Sequence, residues 1–303
     1  MQEKTPTKKQ HFVPQVYLRG FSQDKKRVYS FDLKTGIYKQ TPIPIESVCY
    51  EKYLYEIKDV NGNPVIINLI EKILCDLEGD FANYRNRLKK KAFNKGNYNT
   101  KCFLAKEEKI FWILFITVQI LRSPLVLDKA EQFIKEHFSE ASNENIARTW
   151  ALNQCLPFLN KVKAEDKILF NMVLKPFAGM MIAVGVDENG SLFTSDYPVY
   201  CCAPNYKEGV YETVYFPICR SLVLILFGGT GKEQCYKNRL IKLEQELIVD
   251  IKKSIAHSAR TWLFSANPFS SDDIKLINEA RKDKQNDNAH RKSDNFGGSN
   301  EQL

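Results

Sequence analysis

The sequence predicts an α+β fold, a single intertwined domain in which N- and C-terminal strands share a mixed or antiparallel sheet around a central helical block. Apolar residues alternate with a period of two near both ends of the chain and recur with a helical period in the middle third. No Pro/Gly/Ser-rich linker divides the 303 residues, of which 44% are hydrophobic, enough for a real core. We expect a flexible leader at residues 1–9, a single α+β domain at 10–281 and a disordered polar tail at 282–303.

Two β-hairpins are predicted near the N-terminus. In the first, strands at 28–30 and 37–40 flank a turn that ends in Gly36. In the second, strands at 53–57 and 64–67 bracket Asn61-Gly62, which suits a tight reversal because glycine tolerates a positive φ.

The middle third is predicted to be helical. Residues 68–92 carry an apolar stripe with a period of 3.6, and residues 106–122 are apolar nearly all round, as expected of a buried helix. Further helices are predicted at 125–140, 144–156 and 164–174. The most apolar run, at 110–121, is well short of the roughly 20 residues that span a bilayer, so we predict no membrane partner.

Strands return in the last third. They are predicted at 181–186, 191–194, 210–217, 222–227 and 261–264, with a long helix at 232–257 before the last of them. From about residue 282 the chain is polar and rich in Asn, Asp, Lys and Gly, which predicts disorder.

Composition indicates the compartment. The eight cysteines form no C-x-x-C pair, so the spacing of a zinc ribbon or a redox dithiol is absent, and they are typical of buried thiols in a reducing compartment. The N-terminus is polar and contains lysine, without the apolar stretch of a secretory signal. We therefore expect a cytoplasmic protein, while the pattern indicates no particular oligomeric state.

Residues 10–21 read QHFVPQVYLRGF and carry the pattern His-x-x-Pro-Gln-x-Tyr-Leu-x-x-Phe. This segment resembles the opening signature of a large bacterial family, the domain of unknown function 4238. Further matching pieces are Tyr53-Leu-Tyr55, Leu77-Glu78, Gln119, Leu121–Pro124 and Thr194–Val199. The family has no settled activity, so the resemblance implies membership and candidate positions and does not imply a reaction.

Seven polar residues at these positions are candidate catalytic residues: His11, Gln15, Glu78, Gln119, Arg122, Ser195 and Asp196. A histidine with a pKa near neutrality suits acid/base chemistry or metal ligation, but it could equally anchor its segment through a hydrogen bond. Asp196 could be a catalytic or metal-binding carboxylate, or could join Ser195 in a turn that satisfies nearby amides. Arg122 needs an anion, which is either an internal carboxylate, from Glu78 or Asp196, or a bound phosphate or carboxylate.

A basic stretch runs from residue 85 to residue 101 without an acidic residue. It supplies the candidate nucleic-acid-binding residues Arg85, Arg87, Lys89, Lys90, Lys91 and Lys95. Aromatic residues interleave with these cations, a mixture that nucleic-acid grooves use. The alternative is a solvated helix end.

Two functions follow from these candidates. The first is a hydrolase of phosphodiesters: His11 is the general acid/base, Asp196 and Glu78 orient it or hold a divalent metal ion, and Arg122 stabilises negative charge. The second is a non-enzymatic module that binds nucleic acid or protein, in which the same polar residues form a buried structural network. The enzyme hypothesis requires His11 and Asp196 to be neighbours, with Arg122 beside them.

Overall fold

The structure, a computed structural model, describes residues 5–94, 98, 100–101, 103–156, 168–202, 212–228 and 236–296, with side chains as far as residue 285. The α-helices are α1 (Gln15–Leu18), α2 (Leu69–Phe93), α3 (Lys106–Leu121), α4 (Pro124–His137), α5 (Glu144–Cys155), α6 (Ile168–Ala178), α7 (Gln245–Ser258) and α8 (Ser271–Phe296). The strands are β1 (Lys9–His11), β2 (Arg27–Asp32), β3 (Ile43–Pro44), β4 (Tyr50–Lys52), β5 (Ile57–Lys58), β6 (Pro64–Ile66), β7 (Met181–Val186), β8 (Thr194–Ser195), β9 (Tyr200–Cys202), β10 (Thr213–Cys219), β11 (Leu222–Phe227), β12 (Leu240–Lys242) and β13 (Trp262–Ser265).

The two larger sheets join distant parts of the chain. One is five-stranded, in the order β12-β7-β11-β10-β9, and the other is four-stranded, in the order β3-β2-β13-β8. In the second sheet β2, near the N-terminus, pairs antiparallel with β13, near the C-terminus. The α+β class and the sharing of a sheet by N- and C-terminal strands are therefore confirmed.

The five-stranded sheet is covered on both faces. Alternate residues of β11 pack into two different cores: Leu224 faces the helical block with α2 and α3, whereas Ile225 faces α7 and α8. All six residues of β11 are buried, which explains why it reads as a continuous apolar run.

The helical block consists of α2 to α6, with α3 as its buried member. Glu108 accepts a hydrogen bond from the Ala105 N–H (2.8 Å) and so satisfies a free amide at the N-terminus of α3. Within the described residues no single helix is long and apolar enough to cross a membrane, and α3 with α4 passes that test only as a pair bent by 67°.

The structure differs from the sequence prediction in three places. The helix expected at 232–257 is wrong in its first part, because Leu240–Lys242 form β12, a strand that parallel pairing with β7 stabilises. The strand expected at 37–40 is reduced to a single bridge at Tyr38, and β3 pairs with β2 instead. Residues 164–167 and 210–211, which begin two other predicted elements, and residues 232–235, which begin the helix predicted at 232–257, lie outside the described part of the chain.

The third difference is at the C-terminus. α8 runs on to Phe296, beyond residue 282, where the polar composition predicted disorder. Its middle is held to the body: the Lys284 ammonium donates to the Ala259 carbonyl (2.6 Å), and Asp283 pairs with Lys253 (2.7 Å). These tertiary contacts stabilise a helical segment whose polar composition alone does not predict a helix.

Candidate functional site

The segment that carries the signature is β1 followed by α1. Pro14 ends the extended stretch with ψ 138°, and its carbonyl accepts the N–H groups of Tyr17 and Leu18 to start α1. The Tyr17 hydroxyl, fully buried, lies 2.6 Å from the Thr194 hydroxyl and donates to the Pro217 carbonyl (2.6 Å). This tyrosine therefore connects the signature with β8 and with the five-stranded sheet.

Arg122 and Gln119 hold β1 on the helical block. The Arg122 Nη2 donates to the His11 carbonyl (2.6 Å), and the Gln119 Nε2 donates to the Phe12 carbonyl (2.9 Å). Residues three apart on a helix share a face, so Gln119 and Arg122 can donate hydrogen bonds to two consecutive carbonyl groups of the signature segment. The sequence predicted the shared face but did not predict that its partner would be the backbone of the signature.

The Arg122 guanidinium is buried and has internal partners. It is only 1% exposed, forms an ion pair with Glu78 (2.9 Å) and approaches the Tyr55 hydroxyl (3.4 Å), which itself donates to the Arg122 carbonyl (2.9 Å). Burial by itself lowers the pKa of Arg122, but Tyr55 and Glu78 raise it above its ordinary value. The anion that this cation required is thus an internal one, Glu78.

His11 and Gln15 lie at the edge of this network. The two side chains approach to 3.4 Å between their Nε2 atoms, and the imidazole lies 5.6 Å from the Tyr50 ring. Burial lowers the pKa of His11, a hydrogen bond with the backbone of Glu46 raises it, and the charge of Arg122 lowers it further. The result is a part-buried imidazole that is neutral at neutral pH.

Ser195 and Asp196 form a turn elsewhere. The Asp196 carboxylate accepts the backbone N–H groups of Arg260 (2.9 Å) and Thr261 (2.9 Å), and the Ser195 hydroxyl accepts the Tyr197 N–H (3.1 Å). Burial raises the pKa of Asp196, and these amide hydrogen bonds oppose the rise. Asp196 therefore satisfies backbone amides just before β13, and Ser195 satisfies one in its own turn after β8.

The contact between His11 and Asp196 that the enzyme hypothesis required is not found. Among the described residues no hydrogen bond or ion pair joins Asp196 to His11, Glu78 or Arg122, because backbone amides occupy its carboxylate. Nor does any group of three or more His, Cys, Asp or Glu side chains in that part of the chain have an arrangement that could hold a metal ion.

Glu71 belongs to the network and was missed by sequence reasoning. Its Oε2 is buried without a hydrogen-bond partner in the described structure, and burial raises its pKa to about 7, opposed by Arg122 and reinforced by Glu78. It lies seven residues before Glu78, two turns along the same face of α2, and this spacing was the available signal. Gln10 was missed as well: it donates to Glu56 (2.7 Å) and accepts the Tyr55 N–H (2.6 Å).

Two of the predicted nucleic-acid-binding residues are engaged internally. The Arg85 guanidinium donates to the Val16 carbonyl (2.6 Å) and lies 5.2 Å from the centre of the Phe81 ring, and burial lowers its pKa. The Lys91 ammonium donates to the Phe103 carbonyl and pairs with Glu108 (3.2 Å). Both cations are therefore held by internal partners, and their role in nucleic-acid binding stays a prediction.

The other cations of the stretch are at the surface. Lys89 and Lys90 are exposed, and Arg87 lies over the Tyr84 ring at 4.4 Å, none of them in an ion pair with a described residue. Arg19, exposed at the end of α1, adds its charge beside Arg85. Lys95 lies outside the described residues.

These features define an α+β protein in which buried polar contacts fasten an N-terminal segment to a helical block beside a basic helix end. The chain belongs to the family described as Protein of unknown function (DUF4238), whose sequence profile matches residues 9–281. No curated protein and no solved structure matches the chain. The predicted family membership is thus confirmed.

Proposed function

We propose that this protein is a nucleic-acid-binding module in which the polar residues of the signature network stabilise the fold. The contact surface is a basic face that consists of Arg19, Arg87, Lys89 and Lys90. The observation that carries the proposal is that these four cations are exposed and form no ion pair with any described residue; three of them lie at the end of α2, in a stretch without acidic residues, and Arg19 follows α1.

Free cations of this kind bind polyanions through the release of counterions from the phosphate backbone. Arg87, Lys89 and Lys90 fall within the solvent-facing arc of α2, while Leu88 and Ala92 face the core. Phe93, 44% exposed at the end of the same helix, offers a surface on which a base could stack. The net charge of +8 favours the same class of partner.

The geometry of the network supports a structural role for the remaining candidates. Arg122 and Gln119 direct their donors to backbone carbonyls of the signature, and Asp196 accepts only backbone amides among its described partners. The Arg122 guanidinium and the Asp196 carboxylate are thus engaged with internal partners, whereas the Gln119 Oε1 has no hydrogen-bond partner among the described residues.

The test is a fluorescence-anisotropy titration of a labelled single-stranded oligonucleotide at several salt concentrations. We expect the variant Arg87→Gln/Lys89→Gln/Lys90→Gln to bind at least about tenfold more weakly at low salt, and its salt slope to fall by about 2, since each lost phosphate contact removes about 0.7. The matched control removes three exposed helical lysines elsewhere: Lys129→Gln/Lys275→Gln/Lys282→Gln. Equal affinity and equal slope in the two variants would contradict the proposal.

A phosphodiester hydrolase is the second candidate, and Glu71 is the observation that favours it. Its carboxyl titrates near neutrality and has an unsatisfied buried oxygen, and the charge of Arg122 acts on both Glu71 and His11, which makes these two residues the candidates for proton transfer. General acid/base groups contribute about 10²–10⁴-fold to a rate, so Glu71→Gln and His11→Ala should each lower hydrolysis by at least about 100-fold with added Mg²⁺ or Mn²⁺. Equal residual activity in wild type and both variants would eliminate this candidate.

A further inference from the structure

A second cationic site lies where three parts of the chain meet: the turn after β2, the C-terminal end of α7, and α8. A cavity of about 340 Å³ opens there, lined by Leu33, Lys34, Ala256, Ala259, Arg260, Arg281, Lys284 and Gln285. Four of these described lining residues are cations and none is acidic, whereas Leu33 and the two alanines give one wall an apolar surface. The volume is at the lower end of the range for small-molecule sites, about 300–1,000 Å³.

The cations are held in place by the fold. Lys34 lies in a turn that the Asp32 carboxylate fixes through the Lys34 N–H (2.8 Å) and that Gly36 completes with φ +75°. The Arg281 Nη2 donates to the Lys34 carbonyl (3.4 Å), and the Lys284 ammonium donates to the Ala259 carbonyl (2.6 Å). The groups that would meet a ligand are therefore positioned before it arrives.

Most of the donors in this cavity are free. The Arg260 guanidinium, with five N–H donors, and the Lys34 ammonium, with three, make no hydrogen bond or ion pair with any residue whose side chain is described. Burial lowers the pKa of Lys284, Asp196 raises it, and the charge of Arg260 lowers it, so Arg260 and Lys284 repel each other. A multiply charged anion would remove that repulsion.

Asp196 fixes the backbone next to the cavity and does not line the cavity itself. Its carboxylate fixes the Arg260 and Thr261 amides, which sets the course of the backbone that carries Arg260, and its charge partly offsets that of Lys284. Asp32 acts on Lys34 and Glu51 acts on Arg260, so three carboxylates partly offset the four cations and the site keeps a net positive charge, which favours an anion such as a phosphomonoester or a diphosphate.

We infer that this cavity binds a small organic phosphate, with the phosphate between Arg260, Arg281 and Lys284 and an apolar group against Leu33 and Ala256. Arg260 and Arg281 would take phosphate oxygens through paired N–H donors, and Asp196 is a positioning residue. The site shares no residue with the basic face formed by Arg19, Arg87, Lys89 and Lys90, so the inference stands independently of the nucleic-acid proposal.

The experiment is calorimetric titration of the full chain with ADP, with pyrophosphate and with adenosine. We expect saturable binding of ADP, weaker binding of pyrophosphate and none of adenosine. Arg260→Gln should weaken ADP binding by at least tenfold, about 1.4 kcal/mol. The control Lys282→Gln changes an exposed lysine on α8, the helix that carries Arg281 and Lys284, at a position that does not line the cavity, and the ADP affinity of this variant should equal that of wild type.

Arg260→Gln is the informative variant because its guanidinium has no described partner, so its loss should leave the fold intact, which a thermal melt verifies. A 5′-phosphorylated and an unphosphorylated oligonucleotide serve as further titrants: preference for the former, abolished by Arg260→Gln, would assign the phosphate to a nucleic-acid end. Absence of saturable binding of ADP and pyrophosphate at millimolar concentration would overturn the inference. Equal loss of affinity in Lys282→Gln and Arg260→Gln would also overturn it.

Discussion

Replacing Arg122 by methionine removes the guanidinium that joins β1 to the helical block while it keeps much of the side-chain volume. The variant leaves the buried His11 carbonyl without its donor, at a cost of about 1–3 kcal/mol, and leaves Glu78 without its cation. Breaking a buried ion pair by removing one partner typically costs about 3–5 kcal/mol. Because the Glu78 side chain is 22% exposed and water can partly replace the guanidinium, we expect a loss of about 3 kcal/mol in the free energy of unfolding.

Urea unfolding at neutral pH, followed by circular dichroism, measures this change. Arg148→Met is a matched control, since Arg148 pairs with Asp128 (2.9 Å) and Glu131 (3.4 Å) near the surface, where the Asp128 side chain is 64% and the Glu131 side chain 21% exposed, and it should cost about 1 kcal/mol or less. A double-mutant cycle with Glu78→Gln should give a coupling energy of about 1–3 kcal/mol. If Arg122→Met unfolds within about 0.5 kcal/mol of wild type, as surface substitutions do, the buried network does not hold β1.

Four further variants test other parts of the structure. Glu71→Gln should gain stability relative to wild type as the pH rises. Burial holds the pKa of Glu71 at about 7, above its value in the unfolded chain. The contribution of protonated Glu71 to wild-type stability is therefore complete below about pH 4.5 and is lost as the pH rises through 7. Urea unfolding at pH 4 and pH 8 checks this, and an equal difference at both values would refute it. Gly20→Ala places a Cβ 3.0 Å from both the Cys219 Cβ and the Ile218 carbonyl oxygen and should cost about 1–3 kcal/mol in the same assay. In Gly79→Ala the added Cβ has no heavy atom within 4 Å in the exposed middle of α2, so this variant should raise the free energy of unfolding by about 0.5–1 kcal/mol. The opposite order of stability for the two glycine variants would contradict the packing around these positions. Asp196→Asn retains only one carbonyl acceptor for two buried amides, so it should lower the melting temperature, and an unchanged melt would show that the amides do not need the carboxylate.

The elements that were predicted well are those whose pattern is local. α2 is buried on one face, which leaves a periodic apolar stripe in its sequence. β11 is buried on both faces, which leaves an unbroken apolar run. β12 left no such signature, because three residues beside a parallel partner gain their stability from β7 and not from their own pattern. The extension of α8 beyond residue 282 was not predicted, because its contacts through Asp283 and Lys284 are with residues distant in sequence.

The candidate site was predictable in part for a related reason. The sequence indicated that Gln119 and Arg122 share a face and that Glu78 could neutralise Arg122, and the structure has both features. Backbone partners could not be predicted, since a carbonyl such as that of His11 carries no residue-specific signal. The same reason applies to Asp196, whose carboxylate meets the amides of Arg260 and Thr261 more than sixty residues away.

The most direct test of the central claim compares two folded variants in one oligonucleotide-binding titration, Arg122→Met and Arg87→Gln/Lys89→Gln/Lys90→Gln. If the signature network serves the fold and the basic face serves the partner, Arg122→Met will bind like wild type at a temperature where it remains folded, and the triple variant will bind at least about tenfold more weakly. Loss of binding in folded Arg122→Met, with wild-type affinity in the triple variant, would contradict the account.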